Sequence, residues 1–207
     1  MARMAALDGG TYYHDESLRG QRFRGYFERT IYLPDLAQAP LGDLDALIVT
    51  CRSNPDFLRA SADRLRNFLE SGKTLVAMGE CEAHTWLPLD WTPTPTNFWW
   101  WLDSGADPGL RIAAHEHPLF RTMSLADATW HHHGFFRPAS GAVSLIDRAE
   151  GGSILLEDKA NFGPGRLIAM TLDPFYHHGS FFMPAATRFL DKFLPWLSET
   201  LDEGRTK

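Results

Sequence analysis

The segment 44–51 carries a run of β-branched and other apolar residues that does not alternate with polar ones, and it limits the possible folds more than any other part of the sequence. A strand with apolar side chains on both sides must be covered on both faces, as in the parallel sheets of α/β proteins. Shorter runs of the same kind lie at 4–7 and 74–78. These runs predict neighbouring parallel strands inside an α/β fold.

Segments with helical spacing separate and follow these runs. Apolar residues are spaced as on one face of a helix within 15–29, within 54–71 and from 184 onward. Asn54 and Pro55 suit the start of the second helix, and Gly72 suits its end. In the C-terminal segment, Pro195 is expected to kink the helix or to divide it into two pieces.

The second half of the chain has a different pattern. Prolines at 88, 93 and 95 exclude a helix between 82 and 108, where we predict a long structured excursion. Apolar runs at 142–146, 153–156 and 166–172, separated by turn compositions, predict an antiparallel meander that leads into a final sheet strand. The complete prediction is a three-layer, flavodoxin-like α/β fold. Its sheet is mostly parallel, with strand order 2-1-3-4 followed by the final strand.

Composition agrees with one domain over residues 1–207. The apolar fraction of 44% in 207 residues is ample for one hydrophobic core and thin for two. The predicted core positions are Leu47, Val49, Leu65, Phe68, Leu75, Ala77, Ile168 and Phe193.

Charge and cysteine content exclude several functional classes. The net charge is -6 and there is no run of Lys or Arg, which argues against a nucleic-acid partner. Two cysteines without a Cys-x-x-Cys pair indicate free thiols in a reducing compartment. Neither a signal peptide nor a membrane span is recognisable, so we predict a cytoplasmic protein with no membrane partner.

Polar and titratable residues follow every predicted strand of the sheet. Ligands of open α/β sheets bind beyond the carboxyl ends of the strands, which parallel strands share. We therefore expect five distant residues to converge there: Asp8, His14, Cys81, Asp173 and His178. A small polar ligand is the predicted occupant, held by Asp8, Gly9, Gly10, His14, Glu80, Trp100, His132 and Asp173. The alternative is that these residues are solvated loop tips.

Several motifs resemble those of a known superfamily. Residues 79–83, Gly-Glu-Cys-Glu-Ala, follow a buried strand and resemble the Gly-x-Cys-x-Gly elbow of class I glutamine amidotransferases. His-Pro-Leu-Phe at 117–120, Trp-His-His-His at 130–133, the Gly-x-Gly-Arg-Leu-Ile strand ending in Asp-Pro, and the turn at 8–15 add to the match. The whole chain resembles the class I glutamine amidotransferase-like superfamily and, within it, the ThuA-like branch. This resemblance implies the fold and an association with sugar utilisation.

The sequence departs from the active amidotransferase pattern around its candidate nucleophile, Cys81. Ala83 replaces the second glycine of the elbow, and Asp173-Pro174-Phe175 stands where these enzymes carry His-Pro-Glu. Glutamates on both sides of the thiol oppose thiolate formation. Two interpretations remain: a nucleophile served by His177 or His178 as base, or a buried thiol beside a pocket. We predict that glutamine is not hydrolysed at an enzymatic rate.

Nine histidines raise the question of a divalent metal. Asp173 or Glu80 would be an oxygen ligand, and the possible nitrogen ligands are His14, His131, His132, His133, His177 and His178. Adjacent residues of a strand point to opposite faces, so at most two of His131, His132 and His133 can serve one ion. The prediction favours hydrogen-bonded or pocket-lining histidines and no cofactor, and it keeps a divalent metal as the alternative.

Three consecutive tryptophans at 99–101 have three interpretations: a core cover, a stacking platform for a sugar, or an oligomer contact. We predict a homodimer through or beside them. Two functional hypotheses lead: an enzyme-like pocket for a small, carbohydrate-derived molecule, and a binding or assembly subunit without catalysis. An amidotransferase that uses Cys81 is the third.

Overall fold

A mixed ten-stranded sheet forms the centre of the part of the chain that the structure describes, residues 2–96 and 105–205 of a computed structural model. Its strands are Met4–Asp8 (β1), Arg29–Tyr32 (β2), Ala46–Val49 (β3), Thr74–Ala77 (β4), Asp90–Pro93 (β5), Leu110–Ile112 (β6), Gly134–Arg137 (β7), Val143–Arg148 (β8), Ser153–Asp158 (β9) and Arg166–Met170 (β10). The helices are Tyr12–Arg19 (α1), Pro55–Ala60 (α2), Ala62–Glu70 (α3), Pro174–Gly179 (α4) and Pro184–Arg205 (α5).

The strand order confirms the predicted topology. It runs β2-β1-β3-β4-β10-β9-β7-β5. Strand β8 also pairs with β9, and β6 pairs with β8. The first five strands of this order are parallel. From β9 onward the pairing is antiparallel. The fold is therefore α/β, with a mostly parallel half and an antiparallel addition.

Two hydrophobic clusters cover the two faces of the parallel half. Successive residues of β3 alternate between them, with Ala46 and Ile48 in one cluster and Leu47 and Val49 in the other. Side chains of α5 complete the first cluster, and side chains of α2 and α3 complete the second. All eight predicted core residues are buried, as three layers require.

The prediction of a helix over 15–29 is wrong about where the helix begins and ends. Helix α1 starts after the N-cap Thr11 and ends at Arg19. Its C-cap is Gly20, whose N–H donates to the Glu16 carbonyl. A Cβ at Gly20 would lie 2.2 Å from that carbonyl oxygen, so the close approach requires glycine. A short 3-10 turn, Arg24–Tyr26, follows in place of further helix.

Helix α5 runs through Pro195 without division into two pieces, contrary to one of the two expected outcomes. Proline within a helix removes one hydrogen bond and costs about 3 kcal/mol. Phe193, Leu194, Trp196 and Leu197 on both sides of it are buried against the sheet, and this packing outweighs the local loss. Among the helices that the structure describes, none has the length and apolar character needed to cross a bilayer.

Candidate functional site at the carboxyl ends of the parallel strands

The turns after β1 and β3 are joined by His14 at the carboxyl edge of the sheet. Its Nδ1 accepts a hydrogen bond from the Gly9 N–H at 2.9 Å, and its Nε2 lies 2.9 Å from the Cys51 carbonyl oxygen. Burial lowers the pKa of His14, which keeps the imidazole neutral. Asp8 accepts the Gly10 N–H at 2.8 Å and pairs with Arg19 at 2.7 Å. These four predicted ligand-binding residues hold the turn that borders the site.

Asp173, in the turn between β10 and α4, is the centre of a buried polar cluster and has no exposed surface. Its Oδ1 accepts a hydrogen bond from the Trp130 indole at 3.1 Å and lies 3.1 Å from Nε2 of His177. Its Oδ2 lies 3.4 Å from a guanidinium nitrogen of Arg52. Burial would raise the pKa of Asp173, but its partners, His177 first, bring it below the ordinary value. The carboxylate is therefore ionised and orients the imidazole, as in many acid–base sites.

An ion pair at the ends of β3 and β4 borders Asp173. Nε of Arg52 lies 2.6 Å from Glu80 Oε2, and the Arg52 guanidinium stacks over the Tyr176 ring at 3.5 Å. Both members of the pair have a left-handed backbone, with φ of 60° at Arg52 and 60° at Glu80. Residues other than glycine adopt this conformation at a cost of order 1–3 kcal/mol, and such residues concentrate at functional sites.

Three imidazoles pack edge to face beside this carboxylate. The ring centroid of His131 lies 5.2 Å from that of His133 and 4.8 Å from that of His177. Nε2 of His131 is 3.3 Å from Nε2 of His177. Burial lowers the pKa of His131 to about 4, so this ring is neutral near pH 7. The cluster therefore offers the neutral imidazole of His131 beside an ionised carboxylate.

Two cavities border the cluster. The first, of about 280 Å³, is lined by His133, by the segment 78–84 with Glu80 and Cys81, and by Trp91. The second, of about 590 Å³, is lined by His131 and His132 together with Trp130, Phe135, Arg148 and Glu150. The polar cluster thus borders both cavities, and a bound molecule in either one would contact it.

The thiol of Cys81 lines the first cavity but is not activated. Burial raises the pKa of Cys81 to about 12, and the charge of Glu82 acts in the same direction. Its side chain belongs to the hydrophobic cluster that includes α2 and α3. His177, one candidate base, is engaged with Asp173 and His131 instead.

The remaining predicted residues lie apart from the cluster. Nδ1 of His178 is 2.9 Å from Thr187 Oγ1, and its ring packs on Phe23, which belongs to the cluster on the α5 face. His178 and Cys81 are therefore on opposite faces of the sheet. His132 lines only the second cavity, and burial lowers its pKa to about 4. Trp100, with its neighbours at 99 and 101, lies outside the described residues.

Of the predicted ligand-binding residues, the structure brings Glu80 and Asp173 into one network, together with the predicted base His177. The network also contains His131 and His133, which the sequence offered only as possible metal ligands or pocket-lining histidines, and three residues that the prediction omitted: Arg52, Trp130 and Tyr176. Two signals pointed to the omitted residues, since Arg52 directly follows the apolar run at 44–51 and Trp130 opens the Trp-His-His-His motif.

Comparison with known proteins agrees with this architecture. Neither the family models nor the curated proteins gave a match to this chain. A solved glutamine amidotransferase from Thermotoga maritima is similar in structure, with a TM-score of 0.50 and 10% identity over 98% of this chain and 90% of that chain. The fold is glutamine amidotransferase-like.

Two glycosidases also contain a similar unit. An exo-β-1,4-mannosidase from Opitutaceae bacterium strain TAV5 has a TM-score of 0.49 and 12% identity over 94% of this chain. A β-galactosidase from Rahnella sp. R3 has a TM-score of 0.48 and 13% identity over 93% of this chain. This chain spans 35% and 32% of their respective lengths.

Proposed function

We propose that this protein is ThuA-like and binds a small polar, carbohydrate-derived molecule in the cavity beside Glu80, with no use of Cys81 as a nucleophile. The observation that carries the proposal is the Arg52–Glu80 ion pair, in which Glu80 lines the cavity and both residues have a left-handed backbone. Each side chain is about 30% exposed, so both can still contact a bound molecule.

The wall of the first cavity has the chemistry that a sugar requires. The Glu80 carboxylate of this wall accepts hydrogen bonds from hydroxyl groups, and the guanidinium of its ion-pair partner Arg52, next to the wall, donates them. Trp91, stacked with His84 at 4.8 Å between centroids, provides an apolar aromatic surface. The volume of about 280 Å³ is near the lower end of ligand cavities, about 300–1,000 Å³. These properties favour a ligand the size of a monosaccharide, as does the association of ThuA-like proteins with sugar utilisation.

Ligand binding is testable with glucose, mannose and gluconate at millimolar concentrations, measured by thermal shift and tryptophan fluorescence. We expect at least one of them to raise the melting temperature of the wild type. Glu80→Gln should weaken this binding about 10- to 100-fold, because hydrogen bonds to a charged group contribute about 1.5–3 kcal/mol. Glu116→Gln, at an exposed glutamate outside the cavity, is the matched control and should bind as the wild type does. A panel without any binding, or equal binding by Glu80→Gln, would contradict the proposal.

The Cys81 thiol is expected to be unreactive in the folded protein. With a pKa of about 12, its thiolate fraction at pH 7 is about a thousandfold below that of an ordinary thiol. Native protein should react slowly with a disulfide reagent such as Ellman's reagent, and protein in urea should expose two thiols. Ammonia release from glutamine should be at background in both wild type and Cys81→Ala. A turnover that the wild type shows and Cys81→Ala lacks would establish the amidotransferase alternative instead.

A further inference from the structure

Side chains from two distant segments meet in a group with the composition of a metal site. His131 and His133 precede β7, and Asp173 follows β10. One potential ligand atom from each of the three lies within 4.8 Å of the others. We propose that His131, His133 and Asp173 bind one divalent transition-metal ion. This proposal concerns the same region as the sugar pocket but does not depend on a sugar.

The spacing of the three groups is close to what an ion needs. With bonds of about 2.0–2.2 Å, neighbouring ligand atoms of a tetrahedral zinc site are about 3.4 Å apart. The ligand atoms of this group are up to 4.8 Å apart, so the longest of the three distances must decrease by somewhat more than an ångström when an ion binds. His133 is the least buried of the three, with 20% of its side chain exposed, and a rotation of this ring can close the group.

Outer hydrogen bonds already orient two of the three candidate ligands, His133 and Asp173. Nδ1 of His133 lies 3.3 Å from Thr96 Oγ1 and 3.6 Å from Glu80 Oε1, while its Nε2 is buried without a hydrogen-bond partner. A metal-bound histidine usually directs its second nitrogen to such a partner and coordinates through the first. The Trp130 indole and His177 hold the Asp173 carboxylate through Oδ1, one of its two oxygen atoms.

The charge of the site suits a cation in spite of the neighbouring arginine. The guanidinium of Arg52 is shared between Glu80 at 2.6 Å and Asp173 at 3.4 Å. Two carboxylates and one guanidinium leave a net charge of -1 when the imidazoles are neutral. The contact between Arg52 and Asp173 is long, so Oδ2 of Asp173 keeps a lone pair that can bind a metal.

The donor set indicates the class of ion. Two imidazoles and one carboxylate suit zinc, and they are also the ligands of non-haem iron(II) sites. Three protein ligands leave coordination positions for water or a hydroxyl group, as in catalytic rather than structural sites. Since His133 lines the first cavity and His131 the second, a molecule in either cavity could reach such a position.

The histidine triplet provides its own control for the experiment. His132 lies between the two proposed ligands and is absent from the group. Tag-free wild type, His133→Ala, Asp173→Asn and His132→Ala should be dialysed against zinc, and bound metal measured by elemental analysis. Cobalt(II) should replace zinc in a second series, because its visible absorption reports coordination by protein ligands.

We expect about one equivalent of zinc in the wild type and in His132→Ala, with the cobalt absorption present in both. His133→Ala should bind at least about 100-fold more weakly, since it removes a ligand rather than an outer partner, whose loss costs about 10–100-fold. Less than a tenth of an equivalent in the folded wild type would overturn the proposal. An equal loss of metal in His132→Ala and His133→Ala would also overturn it.

Two further measurements keep the outcomes separate. Circular dichroism checks that each variant is folded, and His133→Ala, at the most exposed ligand, decides the matter if Asp173→Asn does not fold. Sugar binding measured with and without EDTA separates the two proposals. Metal binding without any sugar binding supports only the metal site. Sugar binding in protein that takes up no metal supports only the sugar-binding function.

Discussion

Gly79→Ala is expected to destabilise the protein by about 3 kcal/mol or more and to abolish binding at the candidate site. A Cβ at this position would lie 2.2 Å from the Thr171 carbonyl oxygen and 2.9 Å from the Leu172 carbonyl oxygen. Both atoms are backbone, so neither can move aside by a side-chain rotation. The Gly79 N–H also donates to the Leu172 carbonyl at 2.8 Å, which ties the end of β4 to the chain after β10.

Urea unfolding followed by circular dichroism measures the first effect, and the sugar and zinc titrations measure the second. Gly42→Ala is the matched control, because a Cβ there meets no atom within 4 Å and no left-handed backbone is required. That variant should be neutral or slightly more stable than the wild type. If the two substitutions changed the free energy of unfolding equally, the close contact at Gly79 would not be the cause.

Glu157→Gln is expected to lower the free energy of unfolding at pH 7 by about 3–5 kcal/mol. Glu157 is 5% exposed and lies 2.7 Å from Arg166, 2.8 Å from Lys159 and 3.5 Å from His117. Burial alone would raise the pKa of Glu157, but its bond to His117 and the two cations lower it to about 2. Removal of the charge leaves the half-buried Arg166 without its closest carboxylate.

The pH dependence follows from the direction of this shift. A carboxyl group whose pKa is lower in the folded protein stabilises the fold above its unfolded pKa and loses that contribution as the pH falls. The pKa decreases from 4.5 to about 2, so the loss should occur between those values. The difference in unfolding free energy between wild type and Glu157→Gln should therefore shrink from pH 7 to pH 3.

Glu150→Gln is the control for this second prediction. Glu150 pairs with Arg148 at 2.6 Å, but 82% of its side chain is exposed. Exposed pairs contribute about 0–1 kcal/mol, so this change should be nearly neutral at every pH. A difference between wild type and Glu157→Gln that is constant from pH 7 to pH 3 would show that charge is not its source.

The parallel half of the fold was predictable because its strands are apolar on both faces. The runs at 4–7, 44–51 and 74–78 correspond to β1, β3 and β4, and the right-handed crossover rule gave their order. Strand β5 was not predicted, since none of its four residues is buried and its last is proline. It lies at the edge of the sheet, where strands tolerate proline.

The site was predictable only as a location. Parallel strands place their carboxyl ends on one edge, which is why Glu80 and Asp173 lie near each other. The pattern did not show which side chain of a pair turns inward. His177 and His178 are adjacent on α4, and the rotation of about 100° per helical residue sends one to Asp173 and the other to Thr187. The contact between Arg52 and Asp173, which are 121 residues apart, likewise depends on the direction in which each side chain turns.

The position of β10 between β4 and β9 has a consequence for how the chain folds during synthesis. β4 pairs with β10 in the register Thr74 to Arg166, so roughly ninety residues separate the partners. Until β10 has left the ribosome, β4 is an apolar edge without its second neighbour, and such edges promote association between nascent chains. The hairpin partners β8 and β9, by contrast, are close in sequence and can pair as soon as they emerge. Variants that slow translation before residue 166 should therefore aggregate more in cells than their equilibrium stability would indicate.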